Sequence, residues 1–196
     1  MHKLTINRAR IRFSFRPVTP LLVKSGDKGA QLLHPERPDL MCVRTAHGTL
    51  GETVYVPGSS LKGVVRSAAE RVLRSLEVRC CDPMEHKSRC QDEASKLGDS
   101  IARRRDPEGP HPMAEVYRTV CFACRTFGSQ AIASRASFAD AYPTEATAKR
   151  ANQTETRNGV SIDRQTGGPA RGKLFELQVL VGGDFLTTGP LAHFEL

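Results

Sequence analysis

Hydrophobic and polar residues alternate where the chain opens. Leu4, Ile6, Ile11, Phe13 and Phe15 fall near a two-residue period with basic side chains between them, which predicts a strand over 4–15. Pro17 and Pro20 end it, and Leu21-Leu22-Val23 runs into a Gly-rich turn at 25–29. A polar loop with Pro35 and Pro38 then leads to Asp39-Leu40-Met41-Cys42-Val43-Arg44. Farther on the period changes. Leu61, Val64, Val65, Ala68, Ala69, Val72, Leu73 and Leu76 recur every three or four residues, while Lys62, Arg66, Glu70, Arg71 and Arg74 take the other face. That spacing predicts an amphipathic helix ending near Leu76, with its apolar stripe toward the core. From Arg79 to about Pro112 regular pattern is lost, as expected of an insertion. Ala136-Ser137-Phe138-Ala139-Asp140-Ala141 predicts a short strand returning to the core. The stretch 144–171 is polar and rich in Thr, Arg and Gly, broken by Val160-Ser161-Ile162-Asp163-Arg164, which fits a long hairpin in solvent. Leu174 to Val181 alternates again and predicts a core strand, with Phe175, Leu177 and Val179 on one face and Leu174, Glu176 and Gln178 on the other.

The junction between strand-like and helical pattern carries chemistry. Tyr55-Val56-Pro57-Gly58-Ser59-Ser60-Leu61-Lys62-Gly63 stops an extended run at Pro-Gly and opens a helix on two hydroxyl residues. Small side chains, exposed backbone N–H groups and a lysine then gather at a helix N-terminus, where an anion is favoured. An ordinary capped helix is the plain alternative.

Composition narrows the partners. The 196 residues carry a formal charge of +8, and the pI of about 9.5 and mean hydropathy of -0.38 describe a soluble chain suited to a polyanion. No apolar stretch is long enough to span a bilayer, and the start lacks the apolar segment of a signal peptide, so no membrane partner and a cytoplasmic location are expected. Trp is absent and aromatics are 6%, which argues against a platform stacking several bases. Cys80, Cys81, Cys90, Cys121 and Cys124 cluster in sequence, and the last two form a Cys-x-x-Cys knuckle that presents two thiolates to one tetrahedral metal. Cys81, Cys90, Cys121 and Cys124 are the expected ligands of a structural zinc, with Cys80, His86 or His111 able to replace one of them. Buried thiols without metal are the alternative, and Cys42 is the most natural of these.

With these features in view, Val56-Pro57-Gly58-Ser59-Ser60-Leu61-Lys62-Gly63-Val64-Val65-Arg66 resembles the signature helix start of the RAMP superfamily. More narrowly it resembles the repeated backbone subunits of type III CRISPR effectors (Csm/Cmr-type, Csm-like). Further segments agree in the family's order. Residues 38–45 resemble its aspartate-bearing loop, and 121–129 its passage from zinc knuckle to Phe-Gly. Residues 134–141 resemble the strand after that passage, and 158–167 the thumb hairpin.

The resemblance implies an α+β fold with an RRM-like (ferredoxin-like) core, a zinc-binding insertion and a projecting thumb. Its expected divisions are 1–78 for the first part of the core, 79–130 for the insertion and 131–196 for the remaining strands, with the thumb at about 145–172. Family members continue into another helix, strand and Gly-rich loop, so the core is expected to be incomplete at its C-terminus. The resemblance further implies that Ser59, Ser60, Lys62 and Arg66 meet phosphates of a guide crRNA. Val160 and Ile162 would wedge between bases, with Arg164 on phosphate; the alternative for the pair is a small hydrophobic cluster within the hairpin. Asp39 matches the aspartate that cuts complementary target RNA, with Mg²⁺ or another divalent cation as cofactor; Asp27 is a second candidate and His34 a neighbour. The expected function is a backbone subunit, bound to other CRISPR effector subunits, that cleaves target RNA at regular intervals. A silent backbone subunit that only binds guide RNA and its neighbours is the alternative, and a zinc-stabilised RNA-binding protein outside CRISPR is more distant. The run Arg103-Arg104-Arg105 is another candidate RNA contact, or simply a solvated face.

Overall fold

The computed structural model describes residues 8–24, 38–82, 84–85, 89–90, 92, 96–97 and 112–192. Asp27, His34, His86, His111 and Arg103–Arg105 lie outside the described residues. The chain divides into two compact units. One is built from 58–139 with the two chain ends (1–11 and 189–196), the other from 12–57 and 140–188.

The first unit opens with helix α1 (Gly58–Ser75), followed by α2 (Pro112–Thr119) and α3 (Phe122–Phe127). Cysteines are at the centre of its core. Cys81, Cys90, Val116, Val120, Cys121, Ala123, Cys124 and Ile132 are buried together, with Leu73 and Tyr117 packed against them. Helix α1 forms where the period predicts, but only part of its apolar stripe turns inward: Leu73 packs on the core and Leu61, Ala68 and Ala69 are half-buried. Val64, Val72 and Leu76 are 71%, 56% and 67% exposed, while Glu70 is buried. The inward face carries Arg66 and Glu70 because it meets backbone carbonyls and thiols, which call for donors and charge rather than for hydrocarbon. Gly58 lies so close to the next segment that a Cβ there would sit 2.1 Å from the Phe138 carbonyl oxygen.

The second unit is mostly strand. It holds β2 (Arg44–His47), β3 (Gly51–Val54), β4 (Tyr142–Pro143), the short helix α4 (Ala148–Asn152), β5 (Thr154–Ile162) and β6 (Pro169–Leu180), while β1 (Arg8–Phe15) and β7 (Phe185–Ala192) each run across the division. Among the described residues these make three small sheets: β1-β7-β4, β2-β3 and β5-β6. The pairs β2–β3, β4–β7 and β5–β6 are antiparallel, so the fold is mixed α/β with small antiparallel sheets. In the interior, Val54, Ala141, Ala151, Leu180 and Phe185 are essentially inaccessible. Asn152 ties α4 to β3 by accepting the Val54 N–H at 2.9 Å. Residues 136–141 do not form the expected strand. Only isolated bridge residues, Ala136 and Ala141, occur there; Ala141 pairs with Val56 through N–H···O bonds of 2.9 and 2.8 Å, and the strand proper is Tyr142–Pro143. Along β6, Val179 is buried and Phe175 and Leu177 half-buried, whereas Leu174 and Glu176 are exposed, which is the alternation the sequence predicts. No helix among the described residues is long and apolar enough to cross a membrane.

Candidate RNA interface and metal centre

Four thiols converge beneath helix α1. The Sγ atoms of Cys81, Cys90, Cys121 and Cys124 all lie within 4.8 Å of one another, and all four residues are buried. Cys81 Sγ stands 3.5 Å from Cys124 Sγ, and Cys121 Sγ stands 3.7 Å from Cys81 Sγ. Cys90 Sγ accepts the Cys121 backbone N–H at 3.2 Å. Cys80 turns away, its thiol directed at the Cys81 carbonyl at 3.8 Å. Electrostatics mark the set as one coupled centre. Hydrogen bonding from Cys124, outweighing burial, holds the Cys121 thiol down at about 4. The same hydrogen bond and burial push Cys124 up, and burial pushes Cys90 up to about 11. A thiolate at Cys121 is therefore favoured, beside Cys90 and Cys124 whose thiols are held up. The donor set fits zinc: four soft ligands around a Zn–S bond of about 2.3 Å would stand about 3.8 Å apart, close to the spacing present. With every position filled by protein, such an ion is structural. Cys42 lies apart from this group, buried, its thiol donating to the Gln178 carbonyl at 3.1 Å. Burial raises it to about 11, as expected of an inert thiol.

Beside the cluster an open groove of about 470 Å³ runs along the start of α1, lined by Ser59, Lys62, Gly63 and Arg66 on one side and by 127–129 and 132–134 on the other. Two backbone features border it: the helix start, and the turn after α3, where the Gly128 N–H donates to the Cys124 carbonyl at 2.9 Å and the Ser129 N–H to the Ile132 carbonyl at 3.0 Å. That turn depends on Gly128, whose φ is +82° and where a Cβ would lie 2.9 Å from the Ser134 backbone nitrogen. Ser60 is half-buried on the first turn of α1, next to the groove-lining Ser59. Lys62 pairs with no acidic group among the described residues, which suits it to an external anion. Arg66 is braced from within: Nε donates to Glu70 at 2.7 Å and Nη1 to the Gly128 carbonyl at 2.9 Å. Sequence pattern gave no sign that residues 127–134 supply the facing wall.

The second unit holds the other candidate residues. Asp39 is exposed, and its Oδ2 accepts the backbone N–H of Glu176 on β6 at 2.8 Å. The next residue continues the contact: Leu40 N–H donates to the Glu176 carbonyl at 3.0 Å, and Gln178 N–H to the Leu40 carbonyl at 2.8 Å. Leu40 thus forms a parallel bridge with Leu177, and the aspartate loop is fastened to the outgoing strand of the hairpin. The β5–β6 hairpin pairs from Thr154↔Leu180 to Ile162↔Pro169, with an irregularity between Val160 and Ile162. Val160 and Ile162 are 45% and 58% exposed, and the facing Leu174 is 70% exposed. Arg164 is exposed in the tip turn. Asp163, which the sequence reading passed over, builds that turn by accepting the N–H groups of Gln165 at 2.7 Å and Thr166 at 3.1 Å. An Asp followed within five residues by Gly-Gly was the available signal.

These features define a mixed α/β protein with four buried cysteines that could hold a metal, a groove lined by Ser59, Lys62 and Arg66, and an exposed hairpin. A family model of the RAMP superfamily matches residues 14–195, and the chain belongs to that superfamily. Membership points to a CRISPR-associated, RNA-binding role. No curated protein matched the chain.

Proposed function

We propose that this chain is a guide-RNA-binding backbone subunit of a type III CRISPR effector, built on an RRM-like core, that cuts complementary target RNA at regular intervals. The observation that carries this reading is the fastening of Asp39 to the hairpin strand β6, because a wedge and a cutting group work together only when their separation is fixed. Ser59, Ser60, Lys62 and Arg66 take guide phosphates in the groove, which positions the RNA without reading its sequence; base pairing supplies specificity. The exposed apolar pair Val160 and Ile162 enters the duplex and unstacks a step, while Arg164 holds phosphate. Asp39 then serves the exposed nucleotide, either as the base for its ribose 2′-hydroxyl or as a carboxylate that holds a divalent cation. A lone carboxylate beside RNA phosphate suits Mg²⁺, which keeps most of its waters and would supply charge neutralisation there. The other partners are the target RNA and neighbouring effector subunits.

One observation favours a second reading. The Asp39 carboxylate already serves as a backbone acceptor, so it can be a structural brace in a silent backbone subunit. The assembled complex, given guide-complementary RNA and Mg²⁺, separates the two through Asp39→Asn and Asp39→Ala. Asn keeps an oxygen for the Glu176 N–H and loses the charge. Cuts that vanish in both variants while target binding persists support the nuclease. Wild type that binds and never cuts supports the silent subunit. Cuts that survive in both variants remove Asp39 from the chemistry and turn attention to Asp27.

A further inference from the structure

The metal centre and the anion groove share a wall. A second, smaller cavity of about 190 Å³ opens on the cysteine cluster, lined by Arg66, Cys81, Arg89, Cys90, Cys124, Ser129 and Gln130. Arg66 and Ser129 line the groove as well. Arg66 reaches both sides: Nη1 donates to the Gly128 carbonyl at 2.9 Å, and Nη2 points at Cys124 Sγ at 3.8 Å. Glu70, one turn on and buried, holds Arg66 Nε at 2.7 Å, and its other oxygen stands 3.8 Å from Arg74 Nη2. Arg74 in turn donates to the Cys81 carbonyl at 3.3 Å. A stripe at four-residue spacing on α1 therefore touches two of the four thiol residues and the glycine that shapes the groove.

The charge at the cluster changes with its occupant. Four thiolates around a divalent ion carry a net charge of about -2. A guanidinium N–H directed at sulfur is strengthened by that charge, as any charge-assisted hydrogen bond is. Because the same guanidinium is tethered to the Gly128 carbonyl, its position also fixes the far wall of the groove. We infer that Arg66, held by Glu70, couples the metal centre to the anion groove, so that metal and RNA phosphate each strengthen the other's binding. The inference rests on the RNA-binding reading above.

Coupling between two ligands is reciprocal, so it can be measured from the metal side. The full chain is loaded with Co²⁺, whose thiolate charge-transfer band reports an intact tetrathiolate site. Co²⁺ retention against a chromophoric chelator is then titrated with and without a fluorescent single-stranded RNA, whose own affinity is read by anisotropy. The comparison covers wild type, Glu70→Gln and Arg66→Lys. RNA is expected to tighten Co²⁺ binding in wild type by about five- to tenfold, at the lower end of known couplings, and by less than about twofold in the variants. Should Glu70→Gln fail to show the thiolate band, Arg66→Lys decides, since it keeps the groove charge and cannot span Gly128 and Cys124. Coupling of equal size in wild type and variants overturns the assignment and gives the effect to folding as a whole. Wild type that binds RNA with no effect on Co²⁺ overturns the inference alone. Wild type that binds no RNA overturns the RNA-binding reading along with it.

Discussion

At position 58 a methyl group would meet the Phe138 carbonyl oxygen at 2.1 Å and its carbon at 2.8 Å, backbone atoms that cannot swing aside. Gly63, five residues along the same helix, has nothing within 4 Å of where its Cβ would stand. The two substitutions are therefore expected to differ in sign. Gly58→Ala should destabilise by about 1–3 kcal/mol, as overpacking does. Gly63→Ala should stabilise by about 0.5–1 kcal/mol, because Gly in a helix interior costs backbone entropy. Denaturant unfolding of the two variants checks the pair, and a loss at Gly63 would show that the helix is not formed as described. Both glycines stand in the sequence motif, but only one is constrained. The difference was invisible there because Phe138 lies eighty positions away, and nothing local distinguishes a glycine that a neighbour crowds from one that is merely tolerated.

Single elements show the same divide between period and environment. The three- and four-residue spacing located helix α1 to within a few residues, yet of its apolar positions Leu73 packs on the core while Val64, Val72 and Leu76 face solvent. Periodicity reports that a helix has two faces; the partner decides which one turns inward. Here the partner is a thiol cluster and a row of carbonyls, so Arg66 and Glu70 turn inward. The hairpin was legible as polar sequence, while its turn is closed by backbone bonds of Asp163 to Gly167 and Gly168, both 2.9 Å, and by the Asp163 carboxylate. Asp163 is held below the usual carboxylate range, chiefly by the N–H groups of Thr166 and Gln165. Its folded-state pKa is the lower one, so the contribution to the turn is complete above the ordinary aspartate range and is lost as pH falls through the depressed value. Amide resonances of Gln165 and Thr166 should therefore titrate with a midpoint below that of a solvated aspartate. Asp163→Asn, which keeps an acceptor without the charge, should abolish the titration and preserve the turn. Asp163→Ala should loosen the tip and so blunt any role of Ile162 and Arg164. A midpoint at or above the ordinary value would mean that the tip is not closed by this residue.

For the molecule as a whole, charge and metal make separate demands. If Lys62, Arg66 and Arg164 are the phosphate contacts, log affinity for single-stranded RNA should fall against log salt with a slope of about -2, at about -0.7 per contact. Lys62→Ala should flatten it by about one contact's share, and a slope near zero would show that the charge of +8 is not used for RNA. A metal at the cysteine cluster would act on stability instead. In sequence, Cys121 and Cys124 stood out as a knuckle and Cys81 and Cys90 were the expected companions, with Cys80 left open as a replacement; in the structure those four thiols converge while the Cys80 thiol is directed at the Cys81 carbonyl. The core of the first unit is assembled around those four residues, with Val116, Val120, Ala123 and Ile132 packed on them. Losing the ion would leave several buried thiols to find partners among themselves, and the hydrocarbon around them is too little to hold α2 and α3 unaided. Stripping the metal with a strong chelator should therefore release hydrogen-exchange protection over 112–127. Protection along the β5–β6 pairing should persist, since none of its hydrogen bonds involves a cysteine of the cluster. Returning zinc should restore the first pattern. If both regions lost protection together, folding would be a single metal-dependent event; if neither did, the cysteines would be a buried cluster that needs no ion.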